Sequence, residues 1–224
     1  MGQTITLKAS DGFELSAYRA DPATPAKAAV VVIQEIFGVN DHIRTVCDRF
    51  TVQGYTAIAP AIFDRVEPGF QSGYSPEEVA VARKFVANPD FDAFLRDTQA
   101  AIDAVKSIGP VGVIGFCLGG SIAFAAATRL HGLKAAIGYY GGAITRFADE
   151  TPKVPTMLHY GEKDHGIPLS DVEAVRAKRP DVEIFVYPDA QHGFNCDQRA
   201  SYDKASADVA RQRSLAFFAK HLLG

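Results

Sequence analysis

The sequence lacks the features typical of membrane proteins, disulfide-rich secreted proteins and nucleic-acid-binding proteins. It contains no run of 18 apolar residues, and its first residues show no apolar segment of the signal-peptide kind. Basic residues number 23 and acidic residues 26, which gives a formal net charge of −3. This near-balance provides no positive footprint for nucleic acid or for an anionic membrane. We therefore expect neither as a partner.

Cysteine is also scarce, with three residues that lie far apart and form no Cys-x-x-Cys motif: Cys47, Cys117 and Cys196. An odd number of isolated thiols favours a reduced, cytoplasmic protein. Disulfides are not needed for stability, because a chain of this length can bury roughly 70% of the surface that it exposes when unfolded. Since there is no internal repeat and no long linker, we expect residues 1–224 to form a single domain.

The apolar pattern predicts a sheet that begins with a hairpin and continues with alternating strands and helices. Gln3–Ala9 and Phe13–Arg19 flank a short turn and are typical of a β-hairpin. Later runs are largely apolar, as expected of strands covered on both faces: Ala28–Gln34, Thr56–Ala59, Val111–Phe116, Lys134–Tyr140, Thr156–Tyr160 and Val182–Tyr187. Helical patterns separate them, beginning near Asn40, Ser75, Phe91, Leu118 and Ser170, and a last one covers about Tyr202–Leu222. The predicted fold class is α/β, a mainly parallel sheet with helices on both faces and an N-terminal antiparallel hairpin.

Three polar residues follow three of these strands, at the edge of the sheet where parallel strands end: Cys117, Asp164 and His192. Cys117 stands in Gly115-Phe116-Cys117-Leu118-Gly119-Gly120, which is the nucleophile-elbow pattern with sulfur in place of oxygen. The glycines allow a sharp strand-to-helix turn, and the following helix directs the positive end of its dipole at the sulfur. The chain order of nucleophile, acid and base is that of α/β-hydrolases.

Other residues of the same types compete for these positions. Cys47 lies on an apolar helical stripe and is expected in the core, whereas Cys196, four residues after His192, is either a loop thiol near the site or a chance neighbour. Asp189 is a rival acid, but its closeness to the predicted base favours the capping of a turn. His165, beside the predicted acid, could exchange roles with it. Histidine and cysteine show no short metal-ligand spacing, so no metal is expected.

Four segments resemble the dienelactone hydrolase family, and the resemblance extends from the hairpin to the last helix. They are Gln34–Asn40, the elbow around Cys117, Tyr139-Tyr140-Gly141 and His192-Gly193-Phe194. The combination of the first segment with a cysteine elbow is specific. The resemblance implies an α/β-hydrolase fold without a cofactor. It also implies a hydrolase that opens an enol lactone or cleaves a related small ester through a cysteinyl acyl-enzyme.

The same resemblance implies roles for four side chains. Cys117 would be the nucleophile, His192 the base and later the acid, and Asp164 the residue that orients the imidazole. Glu35 matches the glutamate that, in the family, interacts with the resting thiol and swings away when substrate binds. We therefore expect these four groups to meet at one edge of the sheet, where the strands that precede them end.

Groups that would touch the substrate are matched less completely. The resemblance places the oxyanion hole at the backbone N–H groups of Leu118 and Ile36. Family members bind a substrate carboxylate with two arginines, but Cys196 occupies one of these positions and no arginine matches the other. Arg83 and Arg199 could reach the site from neighbouring turns and are candidate substrate-binding residues, together with the aromatic residues Phe37, Phe70, Tyr74 and Phe194. We therefore expect a small ester or lactone that is less anionic than dienelactone.

Two other functions are compatible with the same residues. A non-catalytic protein could use this fold to hold a ligand or to sense oxidation through its thiol, and an intracellular cysteine peptidase would use the same three residue types. The presence of nucleophile, base and acid together favours the hydrolase, and the sequence offers no feature that would recognise a peptide chain. We expect a monomer or a small homo-oligomer.

Overall fold

A mixed eight-stranded sheet forms the centre of the molecule. The computed structural model describes residues 2–224, and its strands are β1 Gln3–Lys8, β2 Glu14–Ala20, β3 Ala29–Ile33, β4 Thr56–Pro60, β5 Val111–Phe116, β6 Leu133–Tyr139, β7 Thr156–Gly161 and β8 Glu183–Tyr187. Their order across the sheet is β1-β2-β4-β3-β5-β6-β7-β8. β2 pairs antiparallel with both β1 and β4, and the pairs from β4 to β8 are parallel. This confirms the predicted parallel sheet with an antiparallel hairpin at one edge.

Within residues 2–224, six α-helices pack around the sheet: α1 Asp41–Val52, α2 Pro76–Lys84, α3 Phe91–Val105, α4 Leu118–Arg129, α5 Leu169–Lys178 and α6 Lys204–Phe218. Two of them begin where their capping signals predict, since Asn40 accepts a hydrogen bond at the start of α1 and Ser75 forms a capping box before α2. The last helix begins later than predicted because Asp203 caps it. Beyond Phe218 the chain continues as one π-helical turn. None of the helices in residues 2–224 is long and apolar enough to cross a membrane.

The strands that carry the candidate site are covered on both faces. Every residue of β3, β5 and β7 is buried, and so are all residues of α4 except its last. The parallel strands from β3 to β8 end at the same edge of the sheet. Glu35, Cys117, Tyr140, Asp164 and His192 each follow one of these ends. The topology therefore gathers them at the edge where parallel α/β sheets place their reactive groups.

A buried hydrogen-bond network joins β6, β7, β8 and α6 elsewhere in the core. His159 Nε2 lies 3.1 Å from Ser214 Oγ, and its Nδ1 lies 2.9 Å from the hydroxyl of Tyr187. Ser214 also bonds the hydroxyl of Tyr139 at 2.7 Å. Complete burial, with a smaller effect of the Arg213 charge, lowers the pKa of His159 to about 3. The ring is therefore neutral at neutral pH, and its bonds are internal to the core.

Candidate active site

Cys117 stands on a sharp turn between β5 and α4. Its φ of 56° and ψ of −113° lie in a region that side chains rarely adopt, and its N–H donates to the carbonyl of Tyr139 at 3.0 Å. A Cβ on Gly115 would collide with the carbonyl oxygen of Gly119, and a Cβ on Gly119 would collide with that of Ile33. Both positions therefore require glycine. The turn presents a partly exposed thiol at the N-terminus of α4.

His192 is held by Asp164 from the loop after β7. Its Nδ1 lies 2.7 Å from Oδ2 of Asp164, a buried carboxylate whose Oδ1 accepts the N–H of Gly166 at 2.8 Å. Burial acts to lower the pKa of His192, but the negative charge of Cys117 and the hydrogen bonds to Cys117 and Asp164 act more strongly and raise it to about 10. The imidazole thus favours its protonated form at neutral pH. The structure brings the three predicted residues together.

The competing residues lie elsewhere. Asp189 is exposed and forms a surface ion pair with Lys163 at 2.8 Å. His165 is exposed in the turn that follows Asp164, and Asp164 rather than His165 contacts the ring of His192. Cys47 is fully buried within α1, as predicted.

Glu35 follows β3 and is 1% exposed. Its Oε1 accepts a hydrogen bond from a terminal guanidinium nitrogen of Arg199 at 3.1 Å, and within residues 2–224 its Oε2 has no hydrogen-bond partner. The guanidinium also lies over the rings of Phe37 and Tyr74, 5.7 and 5.8 Å from their centroids. Burial acts to lower the pKa of Arg199, but the charge of Glu35 and smaller effects of neighbouring acidic groups together outweigh it and raise the pKa. Arg199 is therefore charged.

The other candidate substrate residues have different surroundings. Phe70 packs on Phe85 with ring centroids 4.0 Å apart. Phe194 has no exposed surface and contacts the ring of Tyr140, so its ring belongs to the core. Arg83 is exposed on α2 and forms no ion pair within residues 2–224. Of the six substrate-binding candidates, the structure brings three together around Glu35: Phe37, Tyr74 and Arg199.

The two N–H groups expected in an oxyanion hole come from the start of α4 and from the loop after β3. Leu118 is the first residue of α4, where an N–H has no partner inside its own helix, and Ile36 lies in the loop after β3. Within residues 2–224 neither N–H donates to a carbonyl or a side chain. The N–H of Gly119 donates to the carbonyl of Gln34 at 3.1 Å and ties the two segments together. Both N–H groups are thus without an acceptor in the described part of the chain.

Cys196 lies beside Glu35 and is not a chance neighbour of His192. Its thiol donates to the hydroxyl of Tyr74 at 3.3 Å, and its sulfur lies within 4.8 Å of ligand atoms of both Glu35 and His42. Burial and the Glu35 charge raise the pKa of Cys196 to about 11. The sequence gives no sign that His42, a residue of α1, belongs to this group, because the three positions are far apart along the chain.

Comparison with known proteins decides the family. Residues 15–222 match the model of the family described as the dienelactone hydrolase family. The chain belongs to the dienelactone hydrolase family. A Synechocystis protein provisionally named a carboxymethylenebutenolidase is 37% identical to this chain, over an alignment that covers 98% of this chain and 97% of that protein. The carboxymethylenebutenolidase of Pseudomonas putida is 30% identical over 96% of this chain and 95% of its own length.

Solved structures give the same result for the fold. A crystal structure of a Klebsiella pneumoniae protein provisionally named a dienelactone hydrolase has a TM-score of 0.80, with 33% identity over 98% of this chain and 99% of that one. Membership of the dienelactone hydrolase family confirms two expectations from the sequence. The chain has the α/β-hydrolase fold, and it is a carboxylic ester hydrolase.

Proposed function

We propose that this member of the dienelactone hydrolase family hydrolyses small esters or enol lactones through an acyl-enzyme on Cys117. The observation that carries the proposal is the 2.7 Å hydrogen bond between His192 and Asp164. It lies next to the thiol of Cys117, which stands on a turn with a positive φ. A base that is oriented by an acid and hydrogen-bonded to a nucleophile is the arrangement that nucleophilic catalysis requires. Because the nucleophile must stay reduced, we place the enzyme in the cytoplasm.

In the first half of the reaction the Cys117 sulfur bonds to the carbonyl carbon. The N–H groups of Leu118 and Ile36 would hold the negative oxygen that forms, and the loss of one such donor typically costs about 3 kcal/mol of transition-state stabilisation. The bond from the carbonyl carbon to the ester or ring oxygen then breaks, and the leaving oxygen takes the proton of the His192 imidazolium. A thioester and a neutral imidazole remain.

In the second half, water attacks the thioester carbon while His192 takes one of its protons. The carbon–sulfur bond breaks, which restores the thiolate and the imidazolium and releases a carboxylic acid. Asp164 holds the same tautomer of the ring throughout, because its Oδ2 stays on Nδ1 and leaves Nε2 for the reaction. The cycle adds one water to the substrate and needs no cofactor.

Arg199 is our choice for the residue that binds a substrate carboxylate. It is the cation that contacts Glu35, whereas Arg83 is exposed on α2. A substrate carboxylate at Arg199 would compete with Glu35 for the guanidinium and release the glutamate to move. The flanking rings of Phe37 and Tyr74 suit an unsaturated or aromatic substrate.

The acyl-enzyme is tested by intact-mass spectrometry with a small activated ester. We expect one equivalent of acyl group on the wild-type enzyme and neither adduct nor turnover in Cys117→Ala. Cys47→Ser is the matched control, because Cys47 is buried away from the site and its loss should leave both signals intact. Full turnover in Cys117→Ala would refute the proposal. An adduct without turnover across a panel of esters and lactones would favour the ligand-holding or thiol-sensing alternative.

The role of Arg199 is tested with matched substrates, a lactone acid and its methyl ester. A hydrogen bond to a charged group contributes about 1.5–3 kcal/mol, so Arg199→Gln should lower kcat/KM for the acid by about 10- to 150-fold and change that for the methyl ester little. Arg83→Gln should change neither value. Equal losses on both substrates would show that Arg199 acts through the structure of the site and not on the substrate carboxylate.

A further inference from the structure

Glu35, His42 and Cys196 form a second group of chemically active side chains beside the thiol of the elbow. One ligand atom of each lies within 4.8 Å of the others, and all three residues are buried. They come from three elements: the loop after β3, the first turn of α1 and the loop after β8. The proposed hydrolysis uses only Glu35 of this trio, which leaves a buried histidine and a buried thiol without a function.

Several polar atoms of this group lack hydrogen-bond partners. Within residues 2–224, neither ring nitrogen of His42 makes a hydrogen bond, although the side chain is fully buried, and Oε2 of Glu35 makes none either. Buried polar groups in native proteins nearly always have a partner, so unpaired ones indicate a missing ligand, ion or water.

The donor set matches a borderline-soft cation. One thiolate, one imidazole and one carboxylate are ligands of Zn²⁺, whereas Mg²⁺ and Ca²⁺ prefer oxygen alone. Tetrahedral zinc separates neighbouring ligand atoms by about 3.3–3.6 Å, so the 4.8 Å group would need to close by roughly 1 Å. The thiolate and carboxylate together balance the two charges of the ion. Binding would release the thiol proton of Cys196 to solvent.

We propose that Glu35, His42 and Cys196 form a binding site for a thiophilic divalent cation, Zn²⁺ in the first instance. Three protein ligands leave a fourth position for water. The Arg199 guanidinium, 3.1 Å from Oε1 of Glu35, shares the same carboxylate and opposes the incoming cation. The site therefore binds Zn²⁺ more weakly than a closed structural site, and removal of the Arg199 charge tightens binding.

The binding test uses Co²⁺ as a spectroscopic probe and is carried out in the Cys117→Ala protein. This substitution is needed because Cys117 lies beside His192 and could itself bind the metal. A cobalt–thiolate charge-transfer band should appear with one equivalent of Co²⁺ and disappear when Zn²⁺ is added. It should be lost in Cys117→Ala/Cys196→Ser and weakened in Cys117→Ala/His42→Gln. It should persist in Cys117→Ala/Cys47→Ser, the matched control with a different buried thiol removed. A band that survives Cys196→Ser, or no band at all, overturns the proposal.

Zinc affinity is measured separately by calorimetry in the Cys117→Ala background. Loss of Cys196 should weaken Zn²⁺ binding by more than the roughly 10- to 100-fold that follows loss of an outer-shell partner. Arg199→Gln should strengthen it, and unchanged or weaker binding there would refute the shared-carboxylate geometry. These readouts do not depend on hydrolysis, so their failure is distinct from failure of the proposed function. Thermal melts of each variant check that the fold is intact.

Discussion

The Glu35–Arg199 ion pair predicts an unequal loss of stability when its two charges are removed one at a time. Glu35 is 1% exposed and has no second cationic partner within the described chain, whereas the Arg199 side chain is 21% exposed. Arg199→Gln therefore leaves a buried carboxylate without a counter-charge. Glu35→Gln leaves a guanidinium that solvent can still reach and that can still donate to the amide oxygen.

The magnitudes follow from this difference in burial. Removal of one partner of a buried ion pair costs about 3–5 kcal/mol, and the partial exposure of Arg199 places Arg199→Gln near the lower end, about 3 kcal/mol. Glu35→Gln should cost about 1 kcal/mol, in the range of a partly solvated pair. The double variant removes the unpaired charge, so the two substitutions should couple by about 2 kcal/mol in a double-mutant cycle.

Urea unfolding followed by circular dichroism and by tyrosine fluorescence measures these values. With a slope of about 3 kcal/mol per M, Arg199→Gln should lower the midpoint by about 1 M without a change of slope. The control is Lys106→Gln, which breaks an exposed pair with Asp103 and should cost less than about 0.5 kcal/mol. Equal costs for the two substitutions, or a larger cost for Glu35→Gln, would refute the assignment of the penalty to the buried carboxylate.

Three further predictions concern other parts of the molecule. Between pH 7 and pH 5 the free energy of unfolding should fall by about 2 kcal/mol on account of His159, whose pKa is about 3 in the fold against 6.5 in the unfolded chain. Below pH 6.5 His159 binds a proton in the unfolded chain but not in the folded one. Urea titrations of His159→Gln should therefore lack this part of the pH dependence of stability. An unaltered pH dependence would exclude His159 as its source. Asp164→Asn should lower kcat by about 10²–10⁴-fold because the imidazole loses its orienting acid, while Asp189→Asn should not, and a loss below tenfold would argue against Asp164 as the orienting residue. Ser75→Ala removes a capping box and should lower the free energy of unfolding by about 1 kcal/mol in urea titrations, with no effect expected on kcat.

Much of the fold could be predicted because its signals are local. The buried strands are continuous apolar runs, and the bounds predicted for Val111–Phe116 are those of β5. The elbow is equally local, since the glycines around Cys117 are required by contacts within one strand–turn–helix unit. The edge of the sheet at which Asp164 and His192 would stand also follows from the order of strands and helices.

Contacts between distant segments leave no such signal. The sequence pattern predicts only that His159 belongs to an apolar strand. In the structure its ring forms hydrogen bonds with residues of β8 and α6. Glu35 and Cys196 meet across 161 positions, and no spacing rule for metal ligands applies to residues so far apart. The prediction that no metal binds rested on short spacings alone. A spacing rule addresses only sites built within one loop or helix, so it does not bear on side chains that the sheet brings together from distant segments.

Arg199 shows why a fixed number of residues after His192 does not locate the arginine that contacts Glu35. The resemblance expects an arginine four residues after His192, where Cys196 stands. The N–H of Cys196 donates to the carbonyl of Gly193 at 3.0 Å, and the N–H of Arg199 donates to that of Cys196 at 3.1 Å. Successive turns with this three-residue period bring side chains i and i+3 onto the same side, so Cys196 and Arg199 both face Glu35. The side of the turn on which a residue lies therefore determines whether it meets the carboxylate of Glu35. Arg199, one turn after Cys196, can hold that carboxylate, so position 196 can carry a thiol instead of an arginine.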